Sequence, residues 1–93
     1  MITPVESILS ELRRIIVDIF LLDNDHGLNP ETTAADVDGW DSLTHTQVIL
    51  ATERAFRITI SAKEAFAVQT LGELAQLVHH CQERLPEYLR GGR

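Results

Sequence analysis

Three short segments of this 93-residue chain carry the same helix-starting pattern, and no comparable set of signals exists for a sheet. Thr3-Pro4-Val5-Glu6, Ser61-Ala62-Lys63-Glu64 and Thr70-Leu71-Gly72-Glu73 each place a hydroxyl three residues before a carboxylate. In such a capping box the two side chains satisfy backbone N–H groups that a helix start otherwise leaves without a partner. Pro4 adds a first helical position whose φ is already fixed. Behind the first box, Val5, Ile8, Leu9, Leu12, Ile15, Ile16, Ile19 and Phe20 recur at three- and four-residue spacing, one apolar stripe on a helix of about five turns. The middle box opens a short helix, because the next box begins nine residues later. The last opens a longer helix with Leu71, Leu74, Leu77, Val78 and Cys81 on one face and Pro86 at its end. Ile58-Thr59-Ile60 is the one strand-like alternation, too short and solitary to build a sheet.

A further helix is predicted to start at Asp41, whose carboxylate can accept first-turn N–H groups for roughly 1 kcal/mol. It carries two stripes. Val48, Ile49, Thr52 and Phe56 are assigned to the core; Leu43, Thr46 and Leu50 point elsewhere and are either a contact surface or a second packed face. Between the first two helices, Asp23-Asn24-Asp25-His26-Gly27 is predicted to stop the first, and a long connection then runs to Trp40 with Leu28 and Val37 as anchors. Connections of this length are uncommon in compact domains and are often functional. The expected architecture is all-α: three substantial helices and one short one in a single domain over residues 1–85, with Pro86 to Arg93 as a flexible tail.

Composition narrows the functional classes. A chain of this length buries roughly 60–70% of its unfolded surface, enough for a core but hardly for a deep active site as well. The formal net charge of −6 argues against nucleic acid as a partner. No apolar run is long enough to span a membrane, and no basic leader precedes an apolar stretch. Cys81 is the single cysteine, which rules out an internal disulfide and suits a reducing, cytoplasmic compartment. Charge is also unevenly placed. No Lys or Arg lies between Arg14 and Arg54, an interval holding Asp18, Asp23, Asp25, Glu31, Asp36, Asp38, Asp41 and Glu53. That interval is either a solvated loop or a negative field that steers a basic partner.

Within it lies the segment of greatest chemical interest, Gly39-Trp40-Asp41-Ser42-Leu43. Gly39 permits a tight approach of the chain, Trp40 pins the loop end against the bundle, and Asp41 caps. Ser42 falls on the first turn, where the helix N-terminus favours a nearby negative group by about 0.3–1 kcal/mol. Its hydroxyl is an ordinary helix cap, a nucleophile paired with His45, or a group displayed for another enzyme to modify. The Ser-His reading lacks an oxyanion-hole motif and a supporting acid. Elsewhere, Asp23 to Gly27 departs from a calcium loop, with its Gly one place early and Ala34 at the twelfth position. His79 and His80 diverge around their helix, so no metal site is expected. Leu89-Arg90-Gly91-Gly92 looks like the end of a ubiquitin-type modifier, but such modifiers need a sheet.

The Gly39 to Leu43 segment resembles the modification motif of acyl carrier proteins. The resemblance runs from the first helix to about Val78 and includes Leu28-Asn29-Pro30, Phe56, Ile60 and Thr70-Leu71-Gly72-Glu73-Leu74. It implies a four-helix bundle with a short third helix and a long loop between helices one and two. It implies that a phosphopantetheinyl transferase attaches 4′-phosphopantetheine to Ser42, and that acyl groups ride the arm as thioesters between acyl-loading and acyl-processing enzymes. The carrier itself would be a non-catalytic monomer. Asp41, Leu43, Thr46 and Leu50 fall where the family presents its partner surface. Thr44, Gln47 and Arg54 stand where carriers of fatty acid biosynthesis commonly have acids, and Trp40 replaces a small residue. These departures point to a specialised pathway, such as polyketide or modified fatty acid biosynthesis. The alternatives are an aminoacyl or peptidyl carrier and, more remotely, a plain helical interaction module.

Overall fold

Every predicted helix start is a helix start in the structure, a computed structural model that describes residues 3–84. Among the described residues the order is α1 (Pro4–Phe20), a 3₁₀ turn (Ala34–Asp36), α2 (Ser42–Phe56), α3 (Ala62–Ala67) and α4 (Leu71–Glu83), with no strand. The architecture is the expected all-α bundle with a short third helix. The predicted end at Pro86 and the tail to Arg93 lie outside the described residues; α4 ends at Glu83 with Arg84 as its cap.

The caps close largely as the sequence pattern requires. Glu6 accepts the Thr3 amide at 3.0 Å while Thr3 accepts the Glu6 amide at 3.1 Å. Ser61 and Glu64 form the same reciprocal pair. The third box closes by half: Thr70 accepts the Glu73 amide at 3.1 Å, but the Glu73 carboxylate reaches past it to the Gln69 amide at 2.7 Å. The stop of α1 also differs from expectation. It comes at Leu21, in the left-handed region with φ 54, before the Asp23 to Gly27 run. Both the Leu21 and Leu22 amides donate to the Val17 carbonyl, a C-terminal motif that normally uses glycine. Leu22 packs partly into the core behind it, which offsets the strain.

The core forms where α1 packs against α4 and α2. Ile8, Leu9, Leu12, Ile15 and Ile16 of α1 are buried with Val48 and Ile49 of α2 and with Leu71, Leu74, Val78 and Cys81 of α4. Thr52 is fully buried, its hydroxyl donating to the Val48 carbonyl at 2.7 Å. Phe56, assigned to the core from its spacing, is half-buried, while Ala75 is fully buried. Ile58 and Ile60 turn inward from an extended link whose Ile60 amide is held by the Glu53 carboxylate at 2.8 Å. No helix among the described residues is long and apolar enough to cross a membrane.

The long loop is anchored by Leu28 and Val37, each 7% exposed, and by a set of backbone bonds. The Leu71 and Gly72 amides at the start of α4 donate to the carbonyls of Thr32 at 3.0 Å and Pro30 at 2.9 Å. With Thr70 on the Glu73 amide, the first three N–H groups of α4 all have partners. Buried Thr32 stiffens the loop side: its hydroxyl accepts the Asn29 amide and donates to the Gly27 carbonyl.

A Cβ on Gly72 would lie 3.0 Å from the Pro30 carbonyl oxygen and 3.2 Å from its Cβ. Helix propensity alone favours Ala over Gly by about 0.8–1 kcal/mol. Here the crowded atom is the oxygen that accepts the Gly72 amide, so relief by a few tenths of an ångström lengthens that bond. Gly72→Ala is expected to destabilise by about 1–3 kcal/mol in denaturant melts and to speed hydrogen exchange at residues 71 and 72. A stabilised variant would show that the loop yields freely.

Candidate functional site

Asp41 sits with extended backbone at the N-cap of α2. Its carboxylate accepts the Thr44 amide at 3.0 Å, and the Thr44 hydroxyl accepts the Asp41 amide at 2.8 Å. This is a capping box with Thr in the place usually held by Glu or Gln, which is why pattern reading misses it. The same hydroxyl donates to the Gly39 carbonyl at 2.8 Å, locking the residues before the helix to its first turn. The Thr44 amide, first, and its hydroxyl hold the Asp41 carboxyl below the ordinary carboxylate range. Gly39 has φ +87, and a Cβ there would meet nothing nearer than a Phe20 ring atom at 4.0 Å. The predicted tight approach is therefore corrected: Gly39 is required by its backbone conformation.

Ser42 is the first residue of α2 and is exposed. No hydrogen bond among the described residues engages its hydroxyl, and Asp41 Oδ1 is held by Thr44. The Ser42 carbonyl accepts the Thr46 hydroxyl at 3.0 Å. The outward stripe is exposed as predicted, with Leu43 at 70% and Leu50 at 45%. Asp36 and Asp38 lie exposed on the approach to Ser42, and Asp36 also caps the 3₁₀ turn through the Thr33 amide at 2.9 Å.

His45 does not serve Ser42. The Trp40 indole N–H, which can only donate, gives its proton to His45 Nδ1 at 3.0 Å. Nε2 therefore carries the ring proton and donates to the Ala65 carbonyl of α3 at 2.7 Å. Both nitrogens are occupied, so the nucleophile–base pair of a Ser-His hydrolase is not built.

The rings around His45 form a continuous ladder. Phe20 stacks on Trp40 with centroids 5.2 Å apart, Trp40 lies 6.0 Å from His45, and His45 lies 5.0 Å from Phe66. Trp40 thus pins the loop end to α1, as predicted, but it is half-buried and its free edge faces an open groove. The groove, about 520 Å³, is lined by Thr33 to Ala35 from the loop, by Trp40, Asp41, Ser42 and His45, and by Phe66, Val68 and Gln69. Phe66 and the His45 bridge escaped the sequence reading; the remaining signal was that Phe66 is the one large apolar residue of a short helix.

The other candidates separate. Asp25 pairs with Arg13 at 3.2 Å and Asn24 accepts the His26 amide, while His79 faces Glu83 at 3.5 Å. Among the described residues no cluster of three or more His, Cys, Asp and Glu could hold a metal ion. Residues 89–92 lie outside the described residues.

The family described as "Phosphopantetheine attachment site" matches residues 10–78. No curated relative matches the chain. Among solved structures, the solution NMR structure of a holo acyl carrier protein from Geobacter metallireducens is 32% identical, with a TM-score of 0.72 over 91% of this chain and 93% of the other.

Trp40→Ala removes the Phe20 stack and leaves His45 Nδ1 without its donor. Burying a large aromatic fully is worth about 3–5 kcal/mol on truncation, and a half-buried ring less, so a loss of about 2–3 kcal/mol is expected in denaturant melts. An unchanged melt would remove the anchoring role of Trp40.

Proposed function

The chain belongs to the acyl carrier proteins of the phosphopantetheine-attachment family, and from that premise we propose that Ser42 is the attachment point of its covalent 4′-phosphopantetheine. The observation that carries this reading is the Ser42 hydroxyl itself, exposed, unengaged, and at the rim of a groove large enough for a flexible arm. In the transfer, Ser42 Oγ forms a bond to the phosphorus that bears the pantetheine of coenzyme A. The pyrophosphate P–O bond breaks, and adenosine 3′,5′-bisphosphate leaves. A phosphopantetheinyl transferase supplies Mg²⁺ and the base that takes the Ser42 proton. The chain contributes position: Asp41 and Thr44 fix the first turn, and the helix N-terminus favours the phosphodiester charge. When bound, the arm's thiol holds the acyl group as a thioester, which a tether keeps at high local concentration for each partner enzyme.

The protein works as a carrier rather than a catalyst, and its partners are biosynthetic enzymes in general. We assign it to a specialised pathway, polyketide or modified fatty acid, as a cytoplasmic monomer with one carrier domain over residues 1–85. Support comes from α2, whose exposed face carries Leu43, Thr46, Gln47, Leu50 and Arg54 with no acid among them. Asp41 and the three outward residues Leu43, Thr46 and Leu50 form the partner surface in this reading. Aspartate directly before the serine favours acyl over aminoacyl cargo.

Intact mass after incubation with coenzyme A, Mg²⁺ and a broad-specificity transferase is expected to show one added phosphopantetheine group, and none on Ser42→Ala. An unmodified wild type beside a converted control carrier would reject the reading.

The partner surface has its own test in the kinetics of that transfer. Leu50→Gln is expected to lower kcat/KM about five- to tenfold, the effect of losing more than about 1 kcal/mol at an interface, with little change in melting. Asp38→Asn is expected to slow association, with a loss that shrinks as salt rises, because the Debye length is only about 8 Å at physiological ionic strength. Asp36 is unsuitable for this purpose because its carboxylate caps the 3₁₀ turn. Early unfolding of Leu50→Gln would place that side chain in the core, and a salt-independent loss in Asp38→Asn would end the steering account.

A further inference from the structure

His45 stands between the open groove and the interior. Directly inside the groove, Trp40, His45 and Val68 also wall a second void of only about 40 Å³, with Leu71 and Leu74 as its floor. That is space for one or two water molecules, at about 30 Å³ each, and far too little for an alkyl chain of several carbons. The two spaces share Ala34, Trp40, His45, Val68 and Gln69 as their common wall. Within that wall His45 joins α2 to α3, bonded at Nδ1 by the Trp40 indole on one side and through Nε2 to the Ala65 carbonyl on the other. Phe66 presses on the same imidazole from α3, with ring centroids 5.0 Å apart. The ring cannot turn aside without giving up both hydrogen bonds, and the indole N–H and Ala65 carbonyl would then each lose a partner.

The outer groove is built differently. It is about 520 Å³, within the usual range for small-molecule sites, and Ser42 is on its rim. Its largest apolar walls are flat, the Trp40 ring and that of Phe66, a residue 57% exposed, with Ala34, Ala35 and Val68 as smaller apolar lining. Rings of this kind favour offset or edge-to-face contact with another planar group.

We propose that His45 is a latch that closes the bundle to the carrier's cargo, so that the acyl group lies in the outer groove against Trp40 and Phe66, and that this suits short or flat, ring-bearing acyl groups over long alkyl chains. The proposal rests on Ser42 as the attachment point. A long alkyl chain, barred from the core, stays largely in water and gives the fold nothing. A planar cargo gains the two ring faces.

The test loads the full chain, by means of a broad-specificity transferase, with coenzyme A analogues that carry acetyl, hexanoyl, decanoyl or benzoyl groups through a stable amide. Intact mass verifies each load. In the wild type, melting temperature is expected to stay within about 1 °C from acetyl to decanoyl. Amide resonances of Val48, Leu71 and Leu74 should not move with chain length, while benzoyl shifts the Trp40 indole and Phe66 signals. In His45→Ala, decanoyl is expected to move the core amides and raise the melting temperature. Phe66→Ala, a change at an exposed ring, should diminish the benzoyl shift at Trp40. A wild-type melting temperature that climbs with chain length, together with shifts at Leu71 and Leu74, would overturn the latch, and this holds whether or not His45→Ala folds. A folded His45→Ala whose core ignores decanoyl would remove His45 from the account. A wild type that gains no mass would fail the Ser42 reading, and the latch with it; a loaded protein failing the other measurements fails the latch alone.

Discussion

Two backbone hydrogen bonds at the start of α4 hold the Ser42 end of the molecule in place. Leu71 and Gly72 need acceptors for amides that no helix can satisfy internally, and the long loop supplies them from Thr32 and Pro30. The loop in turn gains a fixed path. Held there, it brings the Asp36-capped 3₁₀ turn, buried Val37 and the left-handed Gly39 into register, and these deliver Trp40 to Phe20 and Asp41 to the head of α2. The placement of Ser42 therefore depends on a contact made at the opposite helix, with no side chain of the site taking part.

The short α3 shows the same dependence. Its six residues are too few to be stable as an isolated helix. It is held by its Ser61–Glu64 box, by buried Ala65, by the ion pair of Glu64 with Arg84 at 3.0 Å and by the His45 bond to the Ala65 carbonyl. Arg84, first, and Ser61 keep the Glu64 carboxyl below its ordinary range. Every one of these ties except the box comes from another part of the chain. The groove wall that bears Phe66 is thus positioned from α2 and α4.

What was legible in the sequence was local. Helix starts could be read because Thr3, Asp41, Ser61 and Thr70 act on amides three residues away, and the α1 stripe because its period is that of the helix. Ser42 stood out through its neighbours and the resemblance they carry. Three of the errors share one physical cause. Leu21 ended α1 through a backbone motif that usually needs glycine, Glu73 reached to Gln69 instead of Thr70, and Gly39 served a positive φ. Each is a choice among local geometries that the same residues could also satisfy differently. The tie from α4 to the loop and the His45–Ala65 bond were illegible for another reason: they join residues distant in sequence through backbone carbonyls, which every residue possesses. Leu28-Asn29-Pro30 and Thr70 to Leu74 were noticed as separate features; the fold makes them one.

Cys81 has a bearing on cargo chemistry. It is the chain's single thiol, and it lies at 3% exposure within the core face of α4. A thioester is lost to any accessible thiolate that can attack its carbonyl. A carrier with a surface cysteine would offer its own cargo an internal acceptor, always at high effective concentration and never outcompeted by dilution. Burial removes that acceptor while the protein is folded. The hydrophobic packing of α4 thus doubles as chemical protection: it keeps the chain inert toward the bond it is meant to transport.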